Sequence, residues 1–179
     1  MKKIFMSTIL ALTLLLSESP AYATPVQIYD PDFSNMLNSF KGTCRLFNID
    51  VWGTEYYTYK GARRCEVHFG DSENNLIRFR LNDDNSVSRI LITFPPQYII
   101  YNDTELLLVL AGILNEIGLS TSELEILSND LSDKMDRMGQ YATHFHDKSS
   151  VWCAKTRRYI TLDFECDYSK VDFYLYASI

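Results

Sequence analysis

Two histidines one residue apart are the first pattern in this chain that could do chemistry. His144 and His146 flank Phe145, and Asp147 follows. On a strand, residues i and i+2 point to the same side, so both imidazoles could reach one metal ion. His68 would be a third ligand if its own strand lay nearby. The same pair could act as the general base of a small exported metal-dependent hydrolase. No GxSxG nucleophile motif accompanies them, and Ser149 and Ser150 stand in no recognisable catalytic spacing. The competing reading is an exposed loop after a helix.

Carboxylates form a second pattern. Asp163, Glu165 and Asp167 alternate with Leu162, Phe164 and Cys166. Three acids would then line the outer face of one strand, with neighbours roughly 7 Å apart. A basic partner or a calcium ion would relieve their repulsion. A solvated face, paired with Arg78 and Arg80 on another strand, would relieve it too. Paired-carboxylate glycoside chemistry needs two acids in different environments, and nothing in the residues supplies that difference.

Aromatic and cationic residues form a third. Tyr56, Tyr57 and Tyr59 precede Lys60, Arg63 and Arg64, and Tyr174 and Tyr176 lie near the end of the chain. Tyrosine and arginine are enriched among the residues that anchor protein interfaces. Ordinary cross-strand packing at a hairpin is the alternative. Stacking of bases on such a surface is possible in principle, but the charge of the chain argues against nucleic acid.

The cysteines are Cys44, Cys65, Cys153 and Cys166. An even number in an exported chain predicts two disulfides. Pairing Cys44 with Cys65 and Cys153 with Cys166 would bracket one hairpin each. The first pair needs a bulge or a different register, because Cys44 alternates away from the apolar set Phe47, Ile49 and Val51. No CxxC spacing points to zinc.

Export is the expectation that frames those readings. Lys2 and Lys3 give a positive start, Ile4 to Leu16 is uncharged and apolar, and Ala21-Tyr22-Ala23 offers small residues for a signal peptidase. Residues 1–23 read as a cleaved signal peptide, with Thr24 as the new N-terminus. The apolar run is shorter than the roughly 20 residues a bilayer-spanning helix needs. The style of the signal is bacterial, so the periplasm or the medium is the expected location. No later stretch is long and apolar enough to span a membrane. Asn102-Asp103-Thr104 fits a glycosylation sequon, but Asn102 is better placed as a helix cap.

Residues 24–179 are enough for one domain with a proper core. The whole chain has 17 basic and 23 acidic residues. Lys2, Lys3 and Glu18 leave with the signal, so the remainder has 15 and 22, a net charge of −7. That charge disfavours nucleic acid and anionic membranes as partners and permits a basic protein or a cation. With 12 Tyr and 10 Phe, strands are expected.

The elements that must position these groups follow from periodicity. Asp32 caps a short helix with Phe33, Met36, Leu37 and Phe40 on one face, stopped by Gly42. A meander of four or five strands follows: Arg45–Trp52, Tyr56–Lys60 with Arg64–Phe69, Ile77–Leu81, and Val87–Phe94. Asn82 to Asn85 is a turn. Thr104–Ile117 is apolar nearly all round and predicts a buried helix. Ser120 and Glu123 form a capping box for a second helix with Leu124, Leu127, Leu131, Met135 and Met138 in one stripe. Strands return at Val151–Ala154, Tyr159–Cys166 and Val171–Ile179. The order predicts an α+β fold, with a short N-terminal helix and a central helix pair on one face of a mostly antiparallel sheet.

From these features the chain is expected to be an exported, non-catalytic binding module without a cofactor, its partner another protein. An immunity or inhibitor-type protein fits the size, export and acidity. A metal-dependent hydrolase using His144 and His146, or a domain binding an envelope ligand through its tyrosines, are the alternatives.

Overall fold

A computed structural model describes residues 33–95, 104–138 and 144–178. The expected signal peptide, the lead-in to Pro31, the Asp32 cap and the Asn102 cap lie outside the described residues, as do the side chains of Met135 and Met138. The fold is α+β, as the periodicity predicts. In chain order it runs α1 (Phe33–Leu46), β1 (Val51–Tyr59), β2 (Ala62–Phe69), β3 (Leu76–Leu81), β4 (Val87–Phe94), α2 (Thr104–Ile117), α3 (Thr121–Met138), β5 (Phe145–Cys153), β6 (Arg158–Cys166) and β7 (Val171–Ser178). The strands form one sheet in the order β1-β2-β3-β4-β7-β6-β5, with every neighbouring pair antiparallel. The last strand therefore sits in the middle, joining the N-terminal meander to the C-terminal hairpin.

Alternation decides which face is buried. Val67 and Phe69, Ile77 and Phe79, Ile90 and Ile92, Leu162 and Phe164, and Phe173 and Leu175 point to one side and are almost wholly buried. Phe33, Met36 and Phe40 of α1, Val109 and Ile113 of α2, and Leu124, Leu127 and Leu131 of α3 join the same core. Period-2 and period-3.6 patterns thus meet in one layer of helices on one face of the sheet. The opposite face carries no helix among the described residues.

Three local devices hold this arrangement. The two-residue turn Lys60-Gly61, with φ of 50° and 75°, closes the β1–β2 hairpin in the left-handed geometry that such turns favour. The Asn82–Asn85 turn forms where expected: Asn85 N–H donates to the Asn82 carbonyl at 3.1 Å, and Ser86 N–H to Asp84 Oδ1 at 2.9 Å. The Ser120–Glu123 capping box also forms. Ser120 N–H donates to Glu123 Oε2 at 2.6 Å and Glu123 N–H to Ser120 Oγ at 3.4 Å. The other Glu123 oxygen accepts the Ala154 N–H at 2.7 Å, tying α3 to the turn after β5.

Several boundaries differ from the sequence reading. The first helix runs through Gly42 to Leu46, so of the expected strand Arg45–Trp52 only Val51 and Trp52 are strand, at the start of β1. Cys44 extends the stripe of Phe33, Met36, Leu37 and Phe40 by another turn, and its burial outweighs the helix penalty of about 1 kcal/mol for an interior glycine. Asn48, at φ 57°, then ends the turn that follows the helix. β1 runs through Gly53 without turning, with a register shift between Val51 and Gly53. Of the histidine segment, read either as a strand or as an exposed loop, His146 lies in the first half of β5 and His144 just before it.

The cysteines need a larger correction. None of the four forms a disulfide; all are buried thiols. Cys166 lies opposite Phe145 and Cys153 opposite Arg158, so they occupy the two ends of the β5–β6 hairpin. Eight strand residues separate those ends, roughly 26 Å, whereas a disulfide needs Cα atoms within about 7 Å. Cys65 is flanked in register by Tyr56 and Phe79, the rings that Phe33 touches at the start of α1. Cys44 lies about three turns further along that helix. Burial raises the Cys65 thiol pKa above its ordinary value, and burial with the Asp167 charge does the same for Cys166.

Candidate interaction face

The open face, over which no helix lies among the described residues, is built from cross-strand rows, because paired residues on neighbouring strands share a side. One row reads Tyr57, Arg64, Arg80 and Arg89 from β1 to β4. Arg89 lies over the Tyr176 ring at 5.4 Å, and Tyr176 pairs with Thr161, which pairs with Ser150. The next row reads Glu55, Glu66, Arg78, Leu91, Tyr174, Asp163 and Lys148, and the third Gly53, His68, Leu76, Thr93, Asp172, Glu165 and His146.

The rows differ in how their charges are satisfied. In the second, Glu66 accepts from Arg78 Nε at 2.7 Å and from Tyr57 Oη at 3.1 Å, and it lies 3.5 Å from His68 Nε2. Burial works against the Arg78 charge, but the Glu66 carboxylate outweighs it and raises the guanidinium pKa. In the third, Asp172 is 2% exposed, and Thr93 and Thr161 on the same face are buried with it, although no helix among the described residues lies over them. Thr93 Oγ1 donates to it at 2.6 Å and Lys170 pairs with its other oxygen. That hydrogen bond raises the Lys170 pKa above its ordinary value. A buried acid with such partners is a structural anchor for β4, β7 and the turn before β7.

One end of the face is an aromatic and arginine band. The Arg64 guanidinium sits 4.7 Å from the centre of the Tyr59 ring. Trp152 and Tyr159, paired across β5 and β6, meet edge to face at 5.2 Å. At the opposite end of β1, Trp52 stacks on His68 at 4.9 Å. Tyr59, Trp152, Tyr159 and Trp52 are between 46 and 52% exposed. Half-exposed rings, one of them against an arginine, are residue types enriched at interface centres.

The structure splits the sets that sequence spacing grouped. Tyr57, Tyr59 and Arg64 lie on the open face. Tyr56 and Arg63 lie on the helix side, where Tyr56 contacts Phe33 edge to face at 6.4 Å. Asp163 and Glu165 lie on the open face. Asp167 does not: it sits beyond β6 in a turn, accepting from the Ser169 N–H at 2.7 Å and the Lys170 N–H at 2.9 Å. The Ser169 hydroxyl and these amides hold its carboxyl below the usual range. Asp163 pairs with His146 at 2.7 Å and not with Arg78, which is three strands away.

The three histidines are not assembled. His68 is on β2 and His146 on β5, five strand spacings or roughly 24 Å apart across the sheet. His144 packs edge to face on Tyr168 at 5.6 Å. Among the described residues no group of three or more His, Cys, Asp or Glu is placed to hold a metal ion. His146 and Asp163 make an oriented pair, but Ser150 is four residues further along β5, roughly 13 Å away. That distance breaks any serine–histidine relay.

Trp52, Arg89, Trp152 and Tyr159 were missed by the sequence reading. The alternation of Trp152 with buried Val151 and Cys153 carried the signal for one of them. The convergence of Arg64, Arg80 and Arg89 depends on register, which a single strand does not reveal. A cleft of about 510 Å³ also opens between the end of α1 and the start of β1, beside Lys41, Arg45, Asp50 and Trp52. No helix among the described residues is long and apolar enough to cross a membrane. No known family model matches the chain, and no curated protein resembles it in sequence.

Proposed function

We propose that this chain is an exported protein-binding module, periplasmic or secreted, of the immunity or inhibitor kind, and that it meets its partner with the open face of the sheet. The observation that carries this reading is the set of half-exposed rings and arginines on a face over which no helix lies among the described residues. Tyrosine, tryptophan and arginine exposed on one sheet face are the residue types that anchor protein interfaces. The basic start, apolar run and Ala21-Tyr22-Ala23 support export. The thiols do not oppose it, since each cysteine is at most 6% exposed and so is shielded from oxidants.

The test is affinity capture from envelope and secreted fractions with the chain beginning at Thr24. The wild type is expected to retain a partner that Trp152→Ser loses. Equal capture by both, or capture by neither, would sink the reading.

A further inference from the structure

Arg64, Arg80 and Arg89 are placed directly opposite one another on three adjacent strands of the open face. Like charges in that relation destabilise a sheet. Among the described residues, none of the three is given a carboxylate, although Arg78, one row away, is fully engaged by Glu66. Among the described residues the fold supplies an acid for Arg78 and none for the three arginines in register beside it. Arg64 Nε is moreover sheltered from solvent and has no hydrogen-bond acceptor. Tyr59 and Tyr176 lie against the guanidiniums of Arg64 and Arg89. Rings in that position orient a guanidinium through its charge and leave its N–H edges available for forked hydrogen bonds.

We infer that this row is a receiving site for carboxylates of a protein partner, so that an acidic protein binds an acidic segment through a local basic strip. The inference rests on the reading of the open face as the partner-binding surface. Geometry favours protein carboxylates. The outer two arginines are two strand spacings apart, roughly 9.6 Å. Acids at i and i+7 on a helix are separated by roughly 10.5 Å, with i+4 between them. Each carboxylate can take a guanidinium fork. A nucleic acid carries its charges as a continuous series. It would run from this strip onto Glu55, Asp163 and Glu165, within one or two rows.

The experiment uses a labelled alanine-rich helical peptide with Glu at i, i+4 and i+7, read by fluorescence anisotropy at low and high salt. The same peptide with Gln at those positions, and a single-stranded oligonucleotide, are the comparisons. The wild type is expected to bind the Glu peptide, more weakly as salt rises, and to ignore the Gln peptide. Arg80→Gln and Arg64→Gln are each expected to lower affinity about tenfold. Arg63→Gln, one residue from Arg64 but on the helix side, should leave it unchanged. Thermal unfolding keeps the test independent of any one variant: the Glu peptide should raise the Tm of the wild type and not that of Arg80→Gln. Equal losses in Arg63→Gln and Arg80→Gln, no binding at all, or tighter binding of the oligonucleotide would overturn the inference. If Arg80→Gln captures the envelope partner as well as the wild type while Trp152→Ser does not, only the carboxylate chemistry falls and the binding face stands.

Discussion

Burial governs the cysteines at the scale of single residues. Each thiol is packed in the core, and the pKa values of Cys65 and Cys166 are raised, so little thiolate is available at neutral pH. Alkylation of the native protein should therefore modify none of the four, and alkylation in denaturant without reductant should modify all four. Mass spectrometry reads both, and an absence of alkylation in denaturant would show disulfides instead. Glu123 makes a second residue-scale case. Partial burial pushes its carboxyl up, but the amides of Ala154 and Ser120 and the Ser120 hydroxyl outweigh it and hold it below the usual range. A depressed carboxyl contributes stability above its unfolded pKa, about 4.3. That contribution is lost as pH falls through the lower folded value. Glu123→Ala should lose about 1 kcal/mol at neutral pH, and its stability should fall less steeply below pH about 4. Equal acid slopes in both proteins would contradict this.

Elements show where glycine is tolerated and where it is required. Gly42 lies inside α1 with open space around it, so Gly42→Ala should stabilise the protein by about 0.5–1 kcal/mol. Gly112 lies where α2 crosses α1, and a Cβ there would come within 2.6 Å of the Thr43 side chain. Gly112→Ala should destabilise by about 1–3 kcal/mol. Chemical denaturation of the two variants measures both, and the same sign for both would be wrong. The same contrast explains what was legible in the residues. Ile77, Phe79 and Leu81 alternate against Arg78 and Arg80, and the sheet places them as that pattern requires. The Ser120 capping box and the Asn82–Asn85 turn are local chemistry and form as read. Gly42 was misread as a stop because its conformational preference is weak beside the burial of Cys44. The pairing of β7 with β4 and β6, and with it the placement of Tyr176 beside Arg89, arises from contacts far apart in the chain.

Among the described residues, helices cover one face of the sheet and leave the other open, and the open face carries both acids and arginines. Acidic residues dominate the composition, yet three arginines converge on one end of the open face. Spacing along the chain suggested Tyr57, Tyr59, Arg64, Asp163 and Glu165 as surface groups, and the fold places all five on that face. The same spacing also suggested a histidine cluster and two hairpin-bracketing disulfides; the width of the sheet separates His68 from His146, its length separates Cys153 from Cys166, and Cys44 lies on α1 and not on a strand. The proposed binding mode depends on which face meets the partner. Photo-crosslinking in cells measures this directly, with a benzophenone amino acid in place of Trp152 on the open face or of Ile126, which is exposed on α3. A protein adduct from position 152 and none from position 126 is the predicted result. An adduct from position 126 alone would contradict it.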